Sequence, residues 1–407
     1  MPISSMSGSV MPRSRQAYLV LVFSLFLATM CADTVILPAT LPVITHELGL
    51  APHCAGYLIL AYGLALAAAS VIWNQKRDKR NGIWIGGAIF TLGTICSGAA
   101  VDFYTMSAAR VFCGIGVALV VVSELDLTRY FLEPQTGPMA LGILFSMSHI
   151  GYMIGGPLAG LSVMDGHWRL SFFVIAFIGL SLTLLLRPYS LGLGGQLPGL
   201  PDQESWRLRD GPAVLGRLRA CYVLQGAVRA CLAAVTSFLG LRLIQEYRLS
   251  PFESGQIYFL MYLLTFGAAA WTGATVSKWG RGRNLIILCG ITLAMMVLTL
   301  FGLAVASETK TFLILTGLLT VGGAILEMAL YTMVFQAERG RLIIWVTISL
   351  AFGGLGTGIG AAGAAVGFRL ASFPGIALAG IFFAGLAGAM IWRWWRVDME
   401  GAGVSAT

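Results

Sequence analysis

Long apolar runs recur along the whole chain, and short polar segments separate them. A helix needs about 20 apolar residues to cross the hydrocarbon core of a bilayer. Every crossing must be helical, because an open sheet would leave its backbone polar groups unpaired in lipid. The runs therefore predict about twelve transmembrane helices, near residues 17–44, 53–73, 82–101, 105–127, 139–161, 168–187, 218–242, 253–276, 284–306, 311–335, 342–366 and 373–395.

The composition supports lipid as the solvent for most of this chain. Hydrophobic residues make up 57% of the 407 residues, whereas charged residues make up 11%, about half the usual share. This is too little polar surface to cover a water-soluble body of the same length. The net charge of +8 does not indicate a nucleic-acid-binding protein, because the basic residues are dispersed in the gaps between apolar runs.

Lysine and arginine are concentrated in alternate gaps between the predicted spans. With the N-terminus inside the cell, 19 of the 26 basic residues fall in cytoplasmic segments. Two more, Arg110 and Arg229, fall within spans, and the outer loops hold the remaining five, which are Arg169, Arg242, Arg248, Lys310 and Arg369. This asymmetry follows the positive-inside rule and predicts a multi-pass inner-membrane protein with both termini in the cytoplasm.

The longest polar stretch follows the sixth predicted span and divides the chain into two six-helix halves. A short internal repeat supports the division: Arg80 begins the third span with Gly87 seven residues later, and Arg283 begins the ninth with Gly290 at the same spacing. Repeated halves are typical of secondary transporters, which rock one half against the other around a midplane site. The predicted units are a disordered cytoplasmic N-terminus at 1–16, helical bundles at 17–187 and 218–395, a cytoplasmic linker at 188–217 and a cytoplasmic tail at 396–407.

Four of the predicted spans carry motifs whose order and spacing together are specific. They are Asp33-Thr34-Val35-Ile36 followed by Ala39-Thr40-Leu41-Pro42 in the first span, Ala61-Tyr62 in the second, Arg110-x-x-x-Gly114-x-Gly116-x-Ala118 in the fourth, and Gly151-x-x-x-Gly155-Gly156-Pro157-x-x-Gly160 in the fifth. This set resembles the major facilitator superfamily, and within it the drug:proton antiporter branch. The resemblance covers residues 17–186, and the second half shares mostly the architecture.

The resemblance implies a fold and a function. The fold is an all-α membrane protein with two pseudo-symmetric six-helix bundles, in which the first, fourth, seventh and tenth helices line a central cavity. The function is secondary transport driven by the proton gradient, by a monomer without a cofactor or metal. The fifth-span motif is associated in the family with export and with control of proton leak, which gives Gly155, Gly156 and Pro157 a conformational role. Tyr62 is expected to line the substrate cavity.

The loop between the second and third spans departs from the family pattern. The family usually has Gly-x-x-x-Asp-Arg-x-Gly-Arg, whereas this chain runs from Trp73 to Asn81 as WNQKRDKRN. The basic residues Arg77 and Arg80 persist, but the glycines are missing and Asp78 is displaced. In the family this aspartate helps to latch the outward-open state. The resemblance therefore implies a latch that is weaker here, or rebuilt with Asp78.

Charged residues within spans are candidates for mechanism, because a charge at the bilayer centre costs about 2.5–3.5 kcal/mol on insertion scales. Asp33 and Arg110 lie about 12 Å and about 8 Å from the outer ends of their spans, so their side chains can meet. We interpret them as a proton site, with Arg110 tuning the carboxyl group. The alternatives are a structural ion pair, or an Asp33 carboxylate tied to the backbone at the Pro38/Pro42 kink.

Arg229 and Glu327 form a second candidate pair, because both lie about 14 Å from the cytoplasmic ends of their spans. They either line the substrate cavity or neutralise each other in a buried bridge. Glu124 and Asp126 lie near the cytoplasmic end of the fourth span beside Arg129. A solvated or gating ion pair is the expected role of this group.

The sequence does not indicate a membrane enzyme. It contains no Ser-His-Asp spacing, no HExxH and no glycine-rich phosphate loop, and it has only four histidines. His46 and His53 are too few for a metal site. His149, within the fifth span, is either a hydrogen-bonded core residue or a proton relay.

Two transport hypotheses follow from these patterns. The first is a proton-coupled exporter of a small organic molecule, such as a drug or a secreted metabolite like a siderophore. The second is a proton-coupled importer of an organic anion or a sugar, with Arg110 and Arg229 available to an anionic cargo. Both require a small-molecule substrate and a lipid bilayer, and neither involves nucleic acid.

Overall fold

The computed structural model describes residues 13–75, 79, 81–131, 137–164, 166–192, 219–276, 283–337 and 342–404. Within these ranges the regular structure is α-helical, and each predicted span corresponds to a helix or to one arm of a kinked helix. The helices are α1 (Arg13–Glu47), α2 (Cys54–Asn74), α3 (Gly82–Gly98), α4 (Phe103–Phe131), α5 (Gly137–Met164), α6 (Arg169–Gly192), α7 (Arg219–Thr236), α8 (Leu239–Gln245), α9 (Pro251–Val276), α10 (Arg283–Val305), α11 (Thr309–Ala337) and α12 (Leu342–Val404).

The helices and the predicted spans do not correspond one to one at two places, and an interruption of the helix explains each. A two-residue turn at Ser237 and Phe238 separates α7 from α8, and the pair together makes one crossing. The long α12 bends sharply at Ala371 and Ser372, where Ser372 has a positive φ of 53°. This bend divides α12 into a first arm, 342–370, and a second arm, 373–404. The described part of the chain therefore has twelve helical segments, six before the predicted linker and six after it. Nine of its helices, counting α12 and the α7–α8 pair once each, are long and apolar enough to cross a membrane.

Each half is held together by pairs of neighbouring helices. In the first half α1 packs on α5, α2 on α4, and α3 on both α4 and α6. In the second half α7 packs on α12, while α11 packs on α9 and α10. Close approach is possible because glycines face backbone: Gly151 and Gly155 of α5 lie against the carbonyl groups of Ala28 and Ala32 in α1.

The halves meet along α2 with the first arm of α12, along α5 with α9, and along α1 with α8. We call the end of the bundle that carries the turn between α1 and α2 the outer end, following the predicted orientation. Gly56 of α2 lies against Ala361 of α12 near this end, and Gly160 of α5 lies against Pro251 of α9. Gly240 of α8 likewise contacts the carbonyl group of Pro38. These contacts close the outer end of the bundle.

Two of the five basic residues predicted on the outer side cap helix C-termini. Arg169 donates hydrogen bonds to the carbonyl groups of Gly98 (2.9 Å) and Ala100 (2.7 Å), at the end of α3. The same guanidinium forms an ion pair of 2.9 Å with Glu47, to which the indole N–H of Trp168 also donates. The last carbonyl groups of a helix lack partners within the helix and carry partial negative charge, so an arginine stabilises them.

Arg242 makes the equivalent contact in the second half. It donates to the carbonyl groups of Leu303 (3.2 Å) and Ala306 (3.0 Å), at the end of α10. Its guanidinium lies 4.4 Å from the ring centroid of Phe312 and 5.3 Å from that of Phe373. The residue is buried, so these contacts are shielded from water. Arg242 therefore joins α8, α10, α11 and the second arm of α12 at the outer end.

We expect Arg242→Gln to lower the unfolding free energy by about 2 kcal/mol, because buried hydrogen bonds from a charged donor are worth about 1.5–3 kcal/mol. The measurement is thermal unfolding of the detergent-solubilised protein. Lys310→Gln is the matched control, since it removes the same charge from an exposed outer residue. Equal melting temperatures for the two variants would contradict the role of Arg242.

Two helix starts at the outer end, those of α4 and α9, are capped by side chains. The Asp102 carboxylate accepts a hydrogen bond of 2.7 Å from the backbone N–H of Thr105, in the first turn of α4. This backbone donor, with the Thr105 hydroxyl, holds the pKa of Asp102 below its usual value. Ser250 and Glu253 form a reciprocal capping box at the start of α9.

Candidate functional site

An ion pair between α1 and α4 lies inside the first half. Arg110 Nη1 lies 2.9 Å from Asp33 Oδ2, and Arg110 Nη2 lies 3.3 Å from Asp33 Oδ1. The two parallel hydrogen bonds make the pair bidentate, which is the strong geometry for a guanidinium and a carboxylate. Asp33 is 0% exposed and Arg110 is 1% exposed. The structure therefore brings together the two residues that the sequence proposed as a proton site.

The remaining donors of Arg110 are satisfied from α3 and α4. Ser97 Oγ accepts from Nη2 at 2.6 Å and from Nε at 3.2 Å, and Cys113 Sγ lies 3.2 Å from Nη2. The guanidinium carbon lies 5.4 Å from the ring centroid of Phe172 in α6. All these partners belong to the first half. Arg110 is thus bound within one half and is almost completely buried in this conformation.

Two further predicted residues lie within the first half. Tyr62 of α2 lies within electrostatic range of both Asp33 and Arg110, so the structure groups it with this ion pair. Glu124 of α4 is 2% exposed, so its carboxyl group is buried and does not lie on a solvated surface as one expected role required. The side chains of Asp126 and Arg129 lie outside the described residues.

A second ion pair joins α7 and α11 in the other half. Arg229 Nε contacts Glu327 Oε1, as the sequence proposed. The Arg229 side chain is 32% exposed and the Glu327 side chain is 14% exposed. The structure therefore shows the predicted bridge between the two residues, with a partly exposed Arg229 side chain, and a role in the substrate cavity stays a prediction.

Residues from both halves surround Arg229, which places it in the cleft between them. The Tyr152 hydroxyl, from α5 in the first half, interacts with the guanidinium, as does the Tyr331 hydroxyl of α11. Tyr152 stacks on Tyr262 of α9, with ring centroids 5.1 Å apart and an interplanar angle of 25°. Tyr152 also interacts with the thiol of Cys31 in α1, two residues before Asp33. The cleft thus links the second ion pair to the helix that carries the first.

Aromatic rings continue along the contact between α5 and α9. The His149 ring lies 5.9 Å from that of Phe266 and 6.2 Å from that of Tyr152, between centroids. The side chains of this group are partly exposed. The mid-depth cleft therefore has an aromatic wall, formed by His149, Tyr152, Tyr262 and Phe266, beside an accessible arginine.

The two adjacent glycines of the fifth-span motif, Gly155 and Gly156, face different neighbours. A Cβ placed on Gly155 would lie 2.6 Å from the carbonyl oxygen of Ala32, within the same half. A Cβ placed on Gly156 would lie 2.8 Å from the carbonyl oxygen of Gly255 in α9, across the halves. Gly156 therefore contacts the opposite half, as Gly160 of the same motif does, and it lies beside Pro157, which is within α5. The predicted latch residues Arg77, Asp78 and Arg80 lie outside the described residues.

Sequence reasoning missed Ser97, Cys113, Tyr152, Tyr262 and Tyr331. Cys113 had a signal, because it follows Arg110 by three positions and shares a helix face with it. Tyr152 also had one, since it lies directly after the first glycine of the fifth-span motif. Ser97, Tyr262 and Tyr331 carry no signal that separates them from other polar residues of apolar helices.

Comparison with known proteins agrees with this architecture. The model of the Major Facilitator Superfamily matches residues 21–356. The multidrug resistance protein Stp of Mycobacterium tuberculosis is 30% identical over 146 residues, which are 35% of this chain and only 27% of Stp. The 3-(3-hydroxy-phenyl)propionate transporter of Escherichia coli is 25% identical over 349 residues, which are 80% of this chain and 83% of that protein.

The fold is also that of solved transporter structures. A bacterial homologue of the human lysosomal transporter Spinster, in an inward-facing and occupied conformation, superimposes with a TM-score of 0.73. The alignment covers 96% of this chain and 98% of that one at 16% sequence identity. The family match extends over most of both six-helix halves and agrees with the paired bundles and with the motifs of the first five spans. This chain belongs to the Major Facilitator Superfamily.

Proposed function

We propose that the protein is a proton-coupled exporter of a small organic molecule, and that it works by alternating access in the inner membrane as a monomer. The observation that carries the proposal is the Asp33–Arg110 pair, a titratable carboxylate sealed within one half of the bundle. A charged group buried this deeply in a membrane protein marks an ion or proton pathway by default. The similarity to a multidrug resistance protein supports export.

The geometry suggests how the proton would be used. With the outer end closed, Asp33 is held in an ion pair with Arg110. Opening the outer end would give the carboxylate access to external protons. Protonation would remove the charge that holds Arg110 and would release α1 from α4. Return to the closed form would then deliver the proton to the cell interior while the cargo leaves in the opposite direction.

We expect Asp33→Asn to reduce pH-gradient-driven transport to the background of empty liposomes, because the amide cannot carry the proton. The measurement is cargo flux in proteoliposomes with an imposed pH gradient. Asp102→Asn is the control, since it makes the same chemical change at an exposed helix cap where asparagine also serves. Full proton-driven flux in Asp33→Asn would show that the proton binds elsewhere.

Import of an organic anion is the second candidate function. It is favoured by the partly exposed side chain of Arg229 and by the similarity to a 3-(3-hydroxy-phenyl)propionate transporter. An acidic liposome lumen separates the two candidates whatever the orientation of the protein. Protons leaving the lumen would drive cargo inward through an antiporter and outward through a symporter. Outward flux of cargo would therefore replace the export proposal with import.

A further inference from the structure

The more accessible charged group of the described cleft is a guanidinium. The Asp33–Arg110 pair is buried in the first half and does not contribute. Of the pair in the cleft, Arg229 is the more exposed partner, whereas Glu327 lies deeper and its Oε1 atom is buried. A cargo that enters the cleft therefore meets the guanidinium before the carboxylate. An ammonium group beside the guanidinium would be disfavoured, because two positive charges repel each other in a site with little water.

Arg229 is the group in the described cleft that matches a carboxylate. Its contact with Glu327 is made through Nε. A guanidinium has five donors in a planar fork, and the edge formed by Nη1 and Nη2 matches the two oxygens of a carboxylate. Glu327 fixes the plane of the guanidinium through Nε, and the hydroxyls of Tyr152 and Tyr331 hydrogen-bond to the same guanidinium. A cargo carboxylate would replace these neutral tyrosine acceptors at the Nη atoms with a charged acceptor, which forms the stronger hydrogen bond.

The aromatic wall completes the site. His149, Tyr152, Tyr262 and Phe266 form a continuous ring surface next to Arg229, contributed by α5 and α9. Aromatic surfaces bind flat apolar bodies through offset or edge contacts that add about 0.5–1.5 kcal/mol beyond the burial of area. A cargo that joins an apolar ring to one carboxylate would satisfy both parts of this cleft.

We propose that the cleft binds its cargo as an aromatic carboxylate, with Arg229 contacting the carboxylate and Glu327 acting as a positioning residue for Arg229. The proposal rests on the proposed transport function and names its substrate class. It excludes cationic amphiphiles as the preferred cargo. It also assigns different roles to the two ion pairs, one for the proton in the first half and one for the cargo in the cleft.

The test compares ligands that share one skeleton and differ in charge. Calorimetric titration of the detergent-purified full chain would use 3-phenylpropionate, 3-phenylpropanamide and 3-phenylpropylamine, with benzoate, benzamide and benzylamine as a shorter series. We expect each carboxylate to bind about tenfold more tightly than its amide, because the amide cannot form charge-assisted hydrogen bonds with the guanidinium. We expect the amines not to bind. Equal affinity for carboxylate and amide, preference for an amine, or no binding of either carboxylate would overturn the proposal.

Paired variants distinguish a loss of cargo binding from misfolding. Arg229→Gln alone leaves Glu327 buried without its ion pair, so the main variant is Arg229→Gln with Glu327→Gln, which keeps the net charge of the pair at zero. We expect this double variant to bind carboxylate and amide equally. Glu327→Gln alone should keep the preference for carboxylate, and Arg369→Gln, on the exposed outer side, should match the wild type. Retention of the carboxylate preference in the double variant would contradict a role for Arg229.

The outcomes also separate this inference from the proposed function. Arg229-dependent carboxylate binding without any pH-gradient-driven flux would keep the substrate class and remove proton coupling. Asp33-dependent flux of a cationic dye, with no binding of either carboxylate, would keep proton-coupled export and remove the aromatic carboxylate as cargo.

Discussion

Replacing Arg110 with glutamine is expected to lower the unfolding free energy by about 3–5 kcal/mol, the cost of leaving one member of a buried ion pair alone. The reason is that Asp33 is 0% exposed and receives two hydrogen bonds from this guanidinium. Glutamine can supply an amide NH2 group but no positive charge. The measurement is unfolding in mixed micelles with increasing denaturing detergent, followed by circular dichroism.

A double-mutant cycle identifies the pair as the cause. Asp33→Asn should also destabilise the protein, because Arg110 then keeps only its bonds to Ser97 and Cys113. The double variant Asp33→Asn with Arg110→Gln should be more stable than Arg110→Gln alone, since no buried charge remains. It should still show only background proton-driven flux. If the two single losses simply add in the double variant, the residues are not energetically coupled and the pair is not the unit described above.

Substituting alanine at Gly156 is expected to raise the ratio of the form with an open outer end to the closed form by about fivefold to a hundredfold. The added methyl group would meet the carbonyl oxygen of Gly255 and the Cβ of Tyr258 across the halves. Overpacking of this kind costs about 1–3 kcal/mol, and each 1.4 kcal/mol changes a population ratio about tenfold. The cost falls only on the form in which the outer end is closed, so the open form gains.

Neighbouring substitutions separate this effect from general damage. Gly155→Ala should lower the melting temperature without shifting the equilibrium, because its neighbour Ala32 lies in the same half. Gly267→Ala, which meets nothing within 4 Å, should leave both quantities near wild type. The distance between one spin label on each half would be measured by pulsed electron paramagnetic resonance. An unchanged distance distribution for Gly156→Ala would refute its role in closing the outer end.

The spin labels need a site-specific chemistry. Val101, between α3 and α4, and Val305, at the end of α10, are strongly exposed at the outer end and lie in different halves. Labels introduced there as unnatural amino acids avoid the seven native cysteines, of which Cys31 and Cys113 belong to the described network. Both label sites are remote from Gly156, so the labels themselves do not alter the contact that is tested.

The number, order and type of the helices could be predicted from the sequence. Length and apolar composition decide whether a segment crosses a bilayer, and both can be counted along the chain. The boundaries differ by a few residues: α1 begins at Arg13, where the prediction placed residue 17, and α6 continues to Gly192, where it placed 187. The break at Ser237 was not foreseen, because neither a proline nor a glycine marks it.

The two ion pairs could also be predicted, because charged residues are rare within spans and depth follows from 1.5 Å of rise per residue. Depth alone matched Asp33 with Arg110 and Arg229 with Glu327. It could not show that the first pair is sealed within one half while the second faces the cleft. That difference depends on the rotation of each helix about its own axis.

Rotation is what only the tertiary structure decided. In a water-soluble helix the apolar stripe marks the buried face, but here lipid-facing and core-facing residues are both apolar, so the sequence does not mark a face. The pairing of Gly155 with Ala32 and of Gly156 with Gly255, and the approach of Tyr152 to Arg229, follow from packing across helices distant in sequence. The sequence by itself therefore determined which segments enter the membrane and how deep each charge lies, and packing determined which side chains meet.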